Sequence, residues 1–287
     1  MLEAVRLARE QTVAVEILVM DDASTDGTGE ALAERFPDVR HVRSDRSRGP
    51  CYQRNLGVLL ASGEIVFPLD DDSWLVSPRT VEQTLGDFAD QRTGVVAIPF
   101  RNVLVGPDVH QQREPGADRT AVAAFVACAF AIRRRLFLDV GGFAEQYFYM
   151  FEEGDLSLRL LDRGFMVELG SADPIDHRQP PRRRAFKPDY FGRRNEILFY
   201  YRLAPRLSAT FRVPRTVLKG LVFGARHAHL KAAWQATRDG LAMCVGGDAD
   251  RSPVRPSAYR AFRTATRRGR LPLAEMQAMI DGPAGDR

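Results

Sequence analysis

Three consecutive carboxylates, Asp70-Asp71-Asp72, end an apolar stretch in this 287-residue chain. Adjacent like charges repel, so the triplet calls for a counter-charge. A hard divalent cation, Mg²⁺ or Mn²⁺, bridging diphosphate oxygens supplies one, because such ions are held by one or two carboxylates plus substrate phosphates. A solvated acidic turn, or a helix cap before Ser73-Trp74, would use the same residues without a ligand. A second cluster, Asp21-Asp22-Ala23-Ser24-Thr25-Asp26-Gly27-Thr28, offers carboxylates that accept from ribose hydroxyls or a base N–H. Its alternative is a turn that caps the next helix through Thr25 or Asp26. In a third segment, residues 141–159, aromatics surround Glu152, Glu153 and Asp155 at the start of a helix. Aromatic surroundings exclude water and raise a carboxylate pKa toward neutrality, as a general base for an alcohol requires. As first-turn acids the same three could serve only the helix dipole or its cap. His177, read as a loop histidine after a strand, either completes a metal shell, donates to a phosphate, or is plain surface.

Both aspartate clusters follow runs that read as buried strands, 16–20 and 64–69; residues 39–43, 94–100 and 165–169 read as further strands. Helical spacing covers a stretch ending near Arg35, then 52–61, 78–88 with Pro78 at its start, and 155–163 closed by Gly164. Residues 101–120 are polar, with prolines and glycines, and are expected to form a long loop over a site. Strands alternating with helices imply an α/β fold with a mostly parallel sheet flanked by helices. Ligands of such a sheet bind beyond the carboxyl ends of its strands, where the aspartates lie.

At 45% hydrophobic the chain is long enough to bury one large α/β core and still carry an appendage. Cys51, Cys128 and Cys244 are odd in number and lack CxxC spacing, so neither a disulfide framework nor a cysteine zinc site is expected, and a reducing cytosol fits. No leader-like start and no bilayer-length apolar run is seen, so a secreted or membrane-spanning protein is not expected. The formal charge of +4 is uneven: residues 178–240 carry +12 and the remainder −8. This suits an acidic catalytic half and a basic, mainly helical tail. Within the tail Phe191, Leu198, Tyr201, Leu218 and Val222 are interspersed with the bases, as in an amphipathic surface lying on an anionic leaflet. Packing on the catalytic half with solvated arginines would read the same way. The tail lacks a zinc, basic-zipper or RNA-platform signature, so nucleic acid is not an expected partner.

Taken in order, Asp21-Asp22-Ala23-Ser24-Thr25-Asp26-Gly27-Thr28, Asn55-Leu56-Gly57, Leu69-Asp70-Asp71-Asp72, Gly141-Gly142-Phe143 and Glu152-Glu153-Gly154-Asp155-Leu156 with Arg159 resemble the family 2 glycosyltransferases over roughly residues 2–200. The resemblance implies a GT-A fold and an inverting transfer from a nucleotide diphospho-sugar to an acceptor hydroxyl, in envelope glycan, glycolipid or natural-product glycosylation. Position by position, it assigns Asp21, Asp22, Asp70, Asp71 and Arg54 to the nucleotide-sugar. Asp72, with Asp70 and His177, is assigned to Mg²⁺ or Mn²⁺. Glu153 takes the base position, where the family usually has aspartate, and Glu152 and Asp155 stand in reserve. Arg193-Arg194-Asn195 resembles a recurring Arg-Asn pair. The implied domains are a catalytic unit over 1–188 and a basic helical region over 189–287. The acceptor admits a lipid-linked form, with the protein cytoplasmic or peripheral on the inner face of the membrane. The family pattern opens with a strand before the helix matched by Leu2 to Gln11; that strand is missing, which leads to the expectation that the true start lies upstream. Two rivals are a catalytically inactive binding or scaffold protein and a sugar-phosphate nucleotidyltransferase, the latter opposed by the lack of a glycine-rich basic loop near the start.

Overall fold

A computed structural model describes residues 1–180, 186–226 and 229–282. The basic run at 182–184 lies outside the described residues. The chain opens with α1 (Leu2–Arg9), β1 (Leu18–Asp21), α2 (Thr28–Arg35), β2 (Arg40–Arg43) and α3 (Pro50–Leu60). Two short strands, β3 (Ile65–Val66) and β4 (Ser73–Trp74), bracket the acidic triplet, and α4 (Thr80–Asp87) leads to β5 (Thr93–Ala97). Then come β6 (Phe100–Asn102), β7 (Val109–His110), β8 (Thr120–Val122), β9 (Phe130–Arg133), α5 (Arg134–Asp139), α6 (Glu152–Asp162), β10 (Met166–Leu169) and β11 (Ile175–His177). The remainder is mainly helical: α7 (Phe186–Leu203), α8 (Arg206–Arg226), α9 (Leu230–Gly246), α10 (Pro256–Arg268), β12 (Leu271–Pro272) and α11 (Leu273–Asp281).

The fold is α/β, with helices flanking three sheets. The largest runs in the order β12-β8-β10-β5-β9-β3. Its pairings are mixed where a mostly parallel sheet was expected: β5 and β10 run parallel, and their other neighbours are antiparallel. The cause lies between β5 and β9, where no helix intervenes to carry a crossover, so the chain returns antiparallel beside β5. The segment expected as one long loop, 101–120, contributes to the β6–β7 pair, which joins β11 and β4 in a four-stranded sheet. The parallel pair β1–β2, connected through α2, stands apart; among the described residues β1 bonds to β2 alone.

All five residues of β5 are buried, and together with β9, β10 and the Leu156 and Leu160 face of α6 they form the centre of the core. The C-terminal helices share it. Phe199, Leu203, Ala258, Phe262, Leu271 and Met276 pack on Leu158, Leu161 and Met166. Pro50 starts α3 with its ring at a position where the lost N–H is not needed. Gly49 before it has φ 83°, and a Cβ there would meet the Phe148 ring at 2.5 Å, so only glycine fits.

Candidate active site

Leu69 bridges to Ala129 at the end of the β3 segment, and the chain then turns through Asp70-Asp71-Asp72 into β4. In the four-stranded sheet β4 pairs with β11, placing Ser73 opposite His177. This register brings the His177 Nε2 to 3.3 Å from the Asp72 carboxylate. His177 is therefore the last residue of a strand and not a loop residue as expected, because β6 and β4 pair on both its sides. One ligand atom from each of Asp70, Asp72 and His177 lies within 4.8 Å of the others. The His177 Nε2 is buried and makes no well-formed hydrogen bond. Two carboxylates and an imbalanced buried imidazole nitrogen fit a divalent cation that also takes phosphate oxygens. Asp71 is exposed.

Arg54, from the second turn of α3, joins this group to the glutamates of α6. Its Nη2 donates to Asp70 Oδ1 at 2.5 Å, and its Nη1 lies 3.9 Å from Glu152 Oε1. Burial and the charge of Glu153 push the Glu152 carboxyl up to about 7. Burial raises Glu153 also, although the Ala127 N–H donates to its Oε1 at 3.3 Å. One buried guanidinium thus stands between Asp70 and two glutamates whose burial favours their neutral forms. The arrangement can accept a proton near neutral pH on one side of Asp70 and hold a metal–diphosphate on the other.

The segment before α6 is shaped against its own preference. Phe148, Met150 and Phe151 have φ of 61°, 70° and 74°, conformations that cost non-glycine residues of order 1–3 kcal/mol each. A clamp from α7 holds them. The Asn195 Nδ2, fully buried, donates to the carbonyls of Tyr147, Tyr149 and Met150 at 3.0, 2.8 and 2.8 Å. Arg194 Nη2 donates to the carbonyls of Gln146 and Tyr147, both at 2.8 Å. Sequence similarity pointed to this Arg-Asn pair without a task for it, since the carbonyls it serves are almost fifty residues away.

Asp155 turns inward. Its carboxylate is fully buried and accepts from Tyr147 Oη at 2.9 Å and Arg159 Nε at 2.6 Å, with Arg202 Nε at 3.7 Å. Arg159 in turn donates to the carbonyls of Val140 and Gly142. At this joint Asn55 of α3 bonds both the N–H and the C=O of Phe143, at 2.8 and 2.9 Å. Gly142 has φ 65°, and a Cβ would strike Asn55 Oδ1 at 2.6 Å. The Gly141-Gly142-Phe143 segment and Asn55 are thus two halves of one contact.

At the end of β1, Asp21 is buried and accepts from Ser24 N at 2.7 Å and the His41 ring at 3.1 Å. Asp22 accepts from Ser47 Oγ, Arg48 N, Gly49 N and Gln53 Nε2 at 2.6, 2.7, 3.0 and 2.6 Å. Burial works against both charges, but these hydrogen bonds hold both carboxyls below the usual range. Gln53 and Arg54, consecutive on α3, reach Asp22 and Asp70 respectively. That helix ties the two aspartate clusters into one region.

The sequence pattern described as glycosyl transferase family 2 matches residues 1–152. N-acetylglucosaminyl-diphospho-decaprenol L-rhamnosyltransferase of Mycobacterium tuberculosis is 25% identical over 281 residues, covering 83% of this chain and 90% of that protein. Among solved structures, the mannosyltransferase PcManGT of Pyrobaculum calidifontis, in complex with GDP-Man and Mn²⁺, aligns with TM-score 0.55 and 22% identity over 97% of this chain and 80% of its own. TarS 1–349 of S. aureus, in complex with UDP-GlcNAc, aligns with TM-score 0.58 and 14% identity over 93% and 88%. At these identities the likeness to solved structures is one of fold.

Proposed function

Because this chain belongs to glycosyl transferase family 2, we propose that it moves a sugar from a nucleotide diphospho-sugar to an acceptor hydroxyl by direct displacement, with inversion and with Mg²⁺ or Mn²⁺ bound at Asp70, Asp72 and His177. The single observation carrying this reading is the Arg54 guanidinium, shared between Asp70 of the metal-type triad and the two glutamates of α6. It sets a proton acceptor and a diphosphate site side by side.

In this mechanism Glu153 accepts the proton of the acceptor hydroxyl as that oxygen attacks the anomeric carbon, and the nucleoside diphosphate leaves from the opposite face. Glu152 sustains the raised proton affinity of the pair, and Asp155 keeps the first turn of α6 in place through Tyr147 and Arg159. Arg54 orients Asp70 and offsets its charge. Asp21 and Asp22 border the nucleotide by fixing the loops at 22–28 and 44–49, and Asp71 faces the donor from the open side of the triplet. The cation, when bound, neutralises charge that grows on the departing diphosphate. Residues 1–188 carry this machinery and residues 189–287 buttress it.

For the acceptor we extend to this chain the kind of substrate that the mycobacterial relative is named for, a lipid-linked sugar diphosphate. Support comes from α8, where Leu207, Phe211, Leu218 and Val222 form one exposed apolar stripe flanked by Arg215, Lys219 and Arg226. Such a face suits peripheral contact with an anionic membrane on its inner side. Among the described residues no helix is long and apolar enough to cross a membrane.

The test is nucleoside diphosphate release from a panel of nucleotide-sugars with Mg²⁺ or Mn²⁺, comparing the chain with Asp72→Ala. Metal-dependent release that the substitution lowers by about a hundredfold or more is expected. Release that is equal in the variant, or that persists in EDTA, overturns the metal assignment.

A further inference from the structure

The C-terminal helices form a second polar site that shares no residue with the cluster around Arg54. Between α8, α10 and α11 lies an open depression of about 560 Å³ whose lining includes Arg212, Arg263 and Arg267 with the hydroxyls of Ser208, Tyr259 and Thr264. On α10, Ala258, Ala261, Phe262 and Ala265 make the stripe that enters the core. Helical spacing puts Arg263, Thr264 and Arg267 on the other side of that helix.

Merely solvated cations would leave their polar neighbours in water, and one neighbour here is not. Tyr259 is 6% exposed, and its buried hydroxyl stands on the wall of the depression beside Arg263 without a well-formed hydrogen bond. A buried donor left unmade is costly. Burial, its largest influence, raises the Tyr259 pKa, so the hydroxyl keeps its proton to donate. Arg212 and Arg263 are oriented by Tyr200 and not by a carboxylate: Arg263 Nη1 lies 3.4 Å from the Tyr200 hydroxyl, and the Arg212 guanidinium 5.9 Å from its ring. Among the described residues no carboxylate pairs with Arg212 or Arg263, and no acidic side chain is part of the described lining. Guanidinium forks with hydroxyl-bearing residues in the same lining match the tetrahedral oxygens of a phosphate.

The surroundings indicate who carries it. Leu207 and Phe211 are 76% and 71% exposed, each adjoining in sequence a lining residue, Ser208 and Arg212. An anion site with exposed apolar side chains next to its lining residues on the same helix fits a phosphate at a bilayer surface, where those side chains enter the headgroup layer. We propose that this depression is a phosphate-binding site, occupied by the headgroup of an anionic lipid. The lipid source rests on the membrane contact proposed for α8; the phosphate site does not depend on it, nor on the transferase mechanism.

The test uses the full chain with two probes: phosphatidylcholine vesicles with and without phosphatidic acid, and inorganic phosphate against chloride at equal ionic strength, read by thermal shift. Arg263→Glu with Arg267→Glu is expected to weaken binding of the acidic vesicles by at least about tenfold. Tyr259→Phe, which removes only the hydroxyl beside Arg263, is expected to weaken it about threefold. Both variants should retain wild-type nucleoside diphosphate release, which excludes loss of the fold as the cause. Loss confined to the inorganic phosphate probe upholds the site and overturns the lipid source. Wild-type protein that ignores vesicles but responds to phosphate through these residues overturns only the membrane contact. Variants that match the wild type with both probes overturn the proposal.

Discussion

Glu152 and Glu153 stand side by side in the first turn of α6, where the helix dipole favours negative charge and the dry pocket opposes it. The pocket prevails for Glu152, pushed up to about 7, and in direction for Glu153. Since the base must be ionised to accept a proton, the rate of transfer is expected to rise with pH along a limb centred near 7, a property of the pair and not of one residue. Glu153→Gln should lower kcat by roughly 10²–10⁴-fold; a kcat within a few fold of wild type would move the base elsewhere. Stability should run the other way. The folded protein holds the Glu152 proton more tightly than an unfolded glutamate titrating near 4.5, so stability falls as pH rises from about 4.5 to about 7. Glu152→Gln should flatten that part of the curve of urea midpoint against pH. An unchanged slope would mean that the burial of this carboxyl is relieved in solution.

At the scale of elements, the site depends on how α7 holds the chain ahead of α6. Three left-handed residues in four positions aim the first turn of the helix, and the Asn195 amide occupies the carbonyls they leave free. Asn195→Ala should cost about 1–3 kcal/mol of stability. It should also reduce kcat about tenfold or more with little change in the donor KM, because Glu152 and Glu153 would lose their placement while Asp70 and Asp72 would not. A purely structural role would lower stability and leave kcat intact. The strap itself had no local signature: Phe148 to Phe151 are aromatic or aliphatic and read as an ordinary approach to a helix. Left-handed backbone at such residues is imposed from outside, by partners whose distance in sequence hides them. Asp155 was hidden for the same reason. Its spacing in the acidic motif resembles that of a catalytic group, but Tyr147, Arg159 and Arg202 claim its oxygens.

For the whole molecule, the helical C-terminal region is continuous with the catalytic sheet. β12 adds to the sheet edge at β8, and Phe262 is buried with Leu158 and Phe199 in a single cluster. Cooperative units follow shared cores. Calorimetry should therefore find one unfolding transition for the chain, and Phe262→Ala should lower its stability by about 3–5 kcal/mol. Two separated transitions, with only one sensitive to Phe262→Ala, would show that the helices fold as an independent appendage. Of its basic residues, Arg215, Lys219 and Arg226 on α8 are exposed beside the apolar stripe, while Arg194 and Arg202 turn inward to the segment before α6 and to Asp155.

The order of carboxylate clusters at the ends of apolar runs, the α/β class and the helical nature of the C-terminal third were all determined by the sequence itself, because periodicity, glycine and proline breaks and charge runs act within a few residues. Tertiary structure alone decided that His177 meets Asp72, since that contact depends on the register of two strands about a hundred residues apart. It likewise decided that Arg54 joins Asp70 to the glutamates, that the carboxylates of Asp22 and Asp155 bind their own chain, and that the main sheet is mixed. Each of these results from competition among distant partners for one buried polar group or one strand edge, and a local pattern names the competitors without choosing between them.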